Sequence, residues 1–169
     1  MSEFKELSGP EGLKKIGELI KDIHICMLTT IAADGSLSSR PMGTQNADEF
    51  DGTVWFLTRD ESDKVREVQQ DAHVMLAYAD TSDSKYVTAK GRAQISHDRA
   101  KIHELWSPLY KAWFPKGEDD PEITVLRVEV TEAQYWEASS SKLVMGVKYL
   151  AAAMTGGKVD VGEAGKILI

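Results

Sequence analysis

Ser62 and Lys64 are the residues best placed in this chain to do chemistry on an anion. They follow a strand-like apolar run, Val54-Trp55-Phe56-Leu57, that ends at Thr58, and they open a predicted helix over Ser62–Gln70. The first turn of a helix carries N–H groups without intrahelical partners and a partial positive charge, and Lys64 adds a full one. That combination suits a phosphate. Taken alone, the pair reads more readily as a helix cap beside a solvated lysine, because S-x-K is a common tripeptide. Arg40-Pro41-Met42 adds weight to the anion reading. Proline has no N–H for a sheet ladder, so Pro41 belongs at a strand edge with free backbone groups near it. Arg40 brings a planar fork that matches phosphate oxygens. The plainer alternative is an edge strand guarded against aggregation by a proline and an arginine.

The surrounding elements are legible from periodicity. Ser8-Gly9-Pro10-Glu11 reads as a helix start with Ser8 as cap, and Leu13, Ile16, Leu19, Ile20 and Ile23 repeat at helical spacing as an amphipathic, core-covering helix. His24–Ala33 reads as a buried strand, Asp34-Gly35 as a hairpin turn, and Ser36–Gln45 as the returning strand. Asn46–Gly52 is polar and ends in a second turn, Asp51-Gly52, before the strand Thr53–Thr58. Ala72–Ala79 and Lys85–Ser96 follow as strands, with Gly91 marking a bulge or bend. Asp98–Trp106 is a predicted helix capped by Ser96. Ser107–Pro121 is an irregular loop with Trp113, Phe114 and a solvated acidic run, Glu118-Asp119-Asp120. Glu122–Trp136 is the predicted last strand, followed by a helix over Leu143–Met154 and a Gly-rich tail. The pattern predicts an α+β fold, a six-stranded, mostly antiparallel and closed or nearly closed barrel with flanking helices.

Bulk properties narrow the function. The 169 residues predict a single domain, with its core over 13–138 and a C-terminal helix and tail over 140–169. A net charge of −7 argues against nucleic acid as partner. The one cysteine, Cys26, allows no internal disulfide and no cysteine-based metal cage, which suits the cytoplasm. No signal peptide or membrane-spanning run is expected. The histidines at 24, 73, 97 and 103 share no metal-like spacing, and no G-x-S-x-G turn supports a serine nucleophile, so no metal is predicted and the catalytic residues stay unassigned.

The segments MLTT (27–30), SRPM (39–42), VWFLT (54–58), ESDKV (61–65), VMLAYAD (74–80), YVTAKGRA (86–93), ELW (104–106), WFPKGEDDP (113–121) and QYW (134–136) together resemble the general stress protein 26 group. That group lies among the pyridoxamine 5'-phosphate oxidase-like flavoproteins with the FMN-binding split barrel. The resemblance runs from roughly Leu13 to Trp136 and lies in the order and spacing of the segments. It implies a homodimer with FMN at the subunit interface. It also implies Arg40, Ser62 and Lys64 on the FMN phosphate, Thr58 on the phosphate or ribityl chain, and Pro41 and Met42 along the isoalloxazine ring. Trp113 would face the flavin from the partner chain. Two departures speak against oxidation of pyridoxamine phosphate itself. Gln45 stands where the family's Arg-x-x-x-x-Lys pattern has lysine, and the C-terminal stretch AAAMTGGKVDVGEAGKILI lacks the Arg-x-His element. The resemblance therefore implies an FMN-dependent oxidoreductase of unassigned substrate, with NAD(P)H as a transient electron donor. The alternatives are a flavin-storing or flavin-sensing protein and, more remotely, a haem- or deazaflavin-binding barrel.

Overall fold

The computed structural model describes residues 4–45, 50–138, 149–154, 156 and 162–169. The element order is β1 (Phe4–Ser8), α1 (Gly9–Ile20), β2 (Ile25–Ile31), β3 (Leu37–Gly43), β4 (Thr53–Arg59), α2 (Asp63–Gln70), β5 (His73–Asp80), β6 (Lys85–Ser96), α3 (Arg99–Leu105), a 3-10 turn (Pro108–Ala112), β7 (Ile123–Glu137) and β8 (Glu163–Leu168).

The six predicted strands are present and form a ring. The ladders run β3–β2–β5–β6–β7, and β4 pairs with β7 through Thr53–Arg59. Between β3 and β4 a single bridge, Gln45 to Trp55, joins the ends. The barrel is therefore closed by one contact and split along the rest of that seam, which leaves the outer edge of β3 without a strand neighbour among the described residues. The Asp34-Gly35 turn sets the register of β2 on β3, with Leu28 opposite Arg40 and Thr30 opposite Ser38. Gly91 sits at the predicted irregularity: the β6–β7 register shifts between Lys90 and Gly91, and a Cβ there would lie 2.5 Å from the Glu129 carbonyl oxygen. Side-chain bulk at that bend would collide with the neighbouring strand's backbone.

Two strands were not foreseen. β8 pairs antiparallel with β7 and parallel with β1, so the predicted Gly-rich tail supplies a strand, and Phe4–Ser8 supplies another. Both escape periodicity because β1 is short and charged and EAGKIL is small and polar at alternate positions. β8 buries Ile167 in the main core, and Gly165 lets the ring of Tyr135 and the Lys5 carbonyl approach. The predicted helix over Leu143–Met154 lies partly outside the described residues; 149–154 are helical.

α1 lays Ile16, Leu19 and Ile20 on the main core, which also takes Leu28, Met42, Phe56, Leu76, Leu126 and Tyr135. A second cluster, Leu57, Ile102, Leu105, Phe114, Ile123 and Val125, lies under α3 and is edged by Trp55, Trp106 and Tyr110. The cap of α3 is Asp98, whose carboxylate accepts from the Ala100 and Lys101 N–H groups, while the Ser96 hydroxyl accepts from the Asp98 N–H. The acidic run is not uniformly solvated either. Asp120 is buried and accepts from the Glu122 N–H at 3.0 Å, and Arg99 donates to the carbonyls of Glu118 and Asp120. Loop carbonyls that face inward need such a donor, and the sequence gives no direct sign of it. No helix among the described residues is long and apolar enough to cross a membrane.

Candidate anion site at the mouth of the barrel

Strand alternation builds the site. On β2, Cys26, Leu28 and Thr30 are buried while Ile25 and Met27 are exposed. On β3 the residues opposite Cys26, Leu28 and Thr30 are Met42, Arg40 and Ser38, and on β4 Val54, Phe56 and Thr58 share the inward face. Side chains two apart share a face, so each strand runs from an apolar interior to a polar end. Thr30, Ser38, Arg40 and Thr58 are those polar ends, and α2 covers them.

α2 presents Lys64 and Glu67, three residues apart and so on one face. Lys64 donates to the Thr58 hydroxyl at 3.1 Å. Glu67 Oε2 pairs with Arg40 Nη2 at 2.8 Å and accepts from the Thr30 hydroxyl at 2.5 Å. Arg40 Nη1 donates to Thr30 Oγ1, and Nη2 also donates to Ser38 Oγ at 2.8 Å. The Lys64 amine is held below the ordinary lysine pKa, first by burial of the charge and then by the Arg40 guanidinium, with Asp63 and Glu67 opposing. Arg40 and Lys64 thus share one cluster in which Glu67 pairs with Arg40, while Asp63 pairs with Arg66.

Ser62 stands at the N-cap of α2 with extended backbone, yet its hydroxyl makes no cap hydrogen bond. That oxygen is buried and has no partner among the described residues. An unpaired buried hydroxyl costs about 1–3 kcal/mol unless a ligand satisfies it. A tetrahedral oxyanion fits the set: a helix N-terminus, a hydroxyl without a partner, a desolvated ammonium and a guanidinium. The predicted cap is therefore a cap in position only.

The structure brings Arg40, Thr58, Ser62 and Lys64 to one end of the barrel and does not bring the other predicted residues there. Met42 faces the interior, 8% exposed, and packs in the main core, so only its backbone can meet a ligand. Pro41 is exposed on the outward face of β3, opposite Met27. Trp113 is 67% exposed at the end of the 3-10 turn, and its carbonyl accepts from Arg59, the residue after Thr58 that points to the opposite face of β4. Gln45 is buried; its amide donates to the Gly43 carbonyl at 3.2 Å and its oxygen accepts from the Tyr110 hydroxyl. Sequence reading missed Thr30, Ser38 and Glu67. The hairpin register fixed by Asp34-Gly35 could have found the first two, and the three-residue step from Lys64 the third.

Residues 11–160 match the family described as pyridoxamine 5'-phosphate oxidase like. The chain belongs to that family. Among the solved structures of similar fold, a protein described as a general stress protein 26 from Jannaschia superposes with a TM-score of 0.76 at 22% identity, covering 92% of this chain and 97% of that one. A general stress FMN/FAD binding protein from Xanthomonas citri gives a TM-score of 0.67 at 27% identity, covering 79% of this chain and 93% of its own. A curated relative, protein bli-3 of Neurospora crassa, is 28% identical over 128 residues, 71% of this chain. The match spans 60% of that relative's length. The six-stranded ring with its split seam is the split barrel of this pyridoxamine 5'-phosphate oxidase-like family, and β8 and β1 continue its sheet beyond β7.

Proposed function

We propose that this chain is an FMN-binding oxidoreductase of the general-stress-protein type, and that the barrel-mouth cluster is its phosphate socket. The observation that carries this reading is the buried, unpartnered Ser62 hydroxyl at the start of α2, beside a lysine whose charge is desolvated. Arg40, Ser62 and Lys64 would hold the terminal phosphate, with Thr58 on the phosphate or the ribityl chain. The open edge of β3 at Pro41–Met42 offers backbone groups to the polar rim of the ring, and Trp113 would approach from a partner subunit. The flavin would supply the hydride or electron transfer, with NAD(P)H as a transient donor. The chain's own residues bind and orient it.

The reading includes a homodimer. The outward face of β2, β3 and β5 carries Ile25, Met27, Leu37 and Met75, with Leu37 74% exposed and Ile25 57%. Large apolar side chains gathered on one sheet face mark an interaction surface. A second copy would bury them beside the split seam.

The test is titration of the purified protein with FMN and with riboflavin, followed by flavin absorbance and fluorescence, with the mass in solution measured alongside. The expected result is a dimer that binds FMN at least tenfold more tightly than riboflavin, the phosphate adding more than ~1.4 kcal/mol. Equal affinity for the two would remove the phosphate socket. Anaerobic addition of NADPH to the loaded protein then separates turnover from storage: bleaching supports the oxidoreductase, and a flavin that stays oxidised supports a binding protein.

A further inference from the structure

Arg40 is less free than its role as a phosphate ligand demands. A guanidinium grips an oxyanion bidentately along one of two edges, Nη1–Nη2 or Nε–Nη2. Both edges include Nη2. In this structure Nη2 donates to Ser38 Oγ and to Glu67 Oε2, each at 2.8 Å, and Nη1 donates to Thr30 Oγ1. Thr30 and Glu67 are themselves bonded at 2.5 Å, so their two oxygens lie across the Nη1–Nη2 edge as a phosphate would. What remains to an incoming anion is the Nε–H and one Nη1 hydrogen, which point in different directions.

The supports are themselves fixed. Thr30 is fully buried, the Arg40 and Glu67 side chains are only 19% and 13% exposed, and Glu67 is anchored by the helix that carries Ser62 and Lys64. A carboxylate with two hydrogen bonds on one oxygen in a nearly dry site is costly to dislodge. We infer that Glu67 is a positioning residue of the phosphate socket: together with Thr30 it locks the Arg40 guanidinium, so that the anion meets single N–H groups of a fixed cation rather than its bidentate fork. The inference rests on the flavin reading above. It makes Lys64 and Ser62 the direct grip and Arg40 an oriented charge.

Because both bonds to Glu67 end on the same oxygen, Oε2, a glutamine carbonyl can keep them, whereas alanine cannot. Glu67→Gln and Glu67→Ala are compared with the unaltered protein for FMN and riboflavin affinity, and the Arg40 side-chain N–H groups are followed by 15N NMR in the ligand-free proteins. Glu67→Gln, which keeps the lock and removes a negative charge facing the phosphate, is expected to bind FMN at least as tightly as the unaltered protein. Glu67→Ala is expected to bind FMN roughly tenfold more weakly than Glu67→Gln, with riboflavin affinity the same in all three. The Arg40 resonances are expected to be resolved in the first two proteins and averaged in Glu67→Ala. An alanine variant that binds FMN as tightly as the glutamine variant would overturn the inference, leaving Glu67 as a competing charge only. A parallel loss of riboflavin binding would also overturn it, as a general collapse of α2. If the unaltered protein binds FMN no better than riboflavin, the flavin-phosphate reading fails by itself, and the Arg40 resonances still decide whether Glu67 holds the guanidinium.

Discussion

Lys64 Nζ lies 3.1 Å from the Thr58 hydroxyl, so the last inward residue of β4 and the first turn of α2 are tied together across the Arg59–Ser62 turn. The contact explains how a flexible lysine stem is held at the barrel mouth in a half-buried position, where its charge is poorly solvated. It also sets how the site should respond to substitution and to pH.

Replacing both cations of the socket should separate phosphate recognition from ring recognition. The double variant Arg40→Ala, Lys64→Ala is expected to lose about 2–4 kcal/mol of FMN binding, as removal of charge-assisted hydrogen bonds does, while riboflavin affinity stays near its original value. Titration of both ligands by flavin fluorescence reads this directly. Unchanged FMN affinity would dissolve the phosphate assignment.

Ser62→Ala should move stability and binding in opposite directions. The hydroxyl makes no cap hydrogen bond, so the usual loss of about 1 kcal/mol for an N-cap truncation is not expected. Removing a buried unpaired oxygen should instead raise the ligand-free melting temperature slightly, while FMN binding weakens by roughly tenfold. Thermal melts with and without FMN test both halves. A variant less stable in the absence of ligand would show that Ser62 serves the fold.

The depressed Lys64 pKa fixes the sign of the pH dependence. In the ligand-free protein the folded amine loses its proton below the ordinary value of 10.5, so the unfolded chain binds more protons in that window. Stability through Lys64 therefore rises with pH there as the desolvated charge is relieved. FMN binding should do the reverse. A phosphate restores the charged form, so FMN affinity is expected to fall as pH approaches 10.5 from below, and the fall should vanish in Lys64→Met. Isothermal titration across pH 7 to about 10 checks both. A flat profile in the unaltered protein would show that Lys64 does not face the phosphate.

Cys26 offers a probe of the barrel interior. Its thiol is 1% exposed, and burial pushes its pKa from 9.0 up to about 11, opposed by hydrogen bonds from Thr44 and Tyr78. Thiol reagents at pH 8 are expected to label it only at the rate of unfolding. The folded pKa is raised, so the stabilisation it carries is intact below pH 9.0 and is lost as pH climbs to about 11. Prompt labelling of native protein at pH 8 would contradict the burial of Cys26 inside the barrel.

Local chemistry in the sequence determined much of this protein. Alternation along Ile25–Ile31, Thr53–Arg59 and Ile123–Glu137, the Asp34-Gly35 turn and the break at Gly91 define six strands, of which β2–β3 and β5–β6 pair across short turns while β2 beside β5 and β4 beside β7 are long-range pairings. These are effects of neighbours a few residues apart, and they also carry the likeness that marks the family. Tertiary structure decided the rest because it depends on contacts between distant segments. β8 is a strand only because β7 and β1 supply partners on both sides, and the Met42 side chain joins the core because the pleat turns it inward. Glu67 reaches Arg40 only because α2 folds back over the β2–β3 hairpin, placing a carboxylate against a guanidinium 27 positions away in the chain.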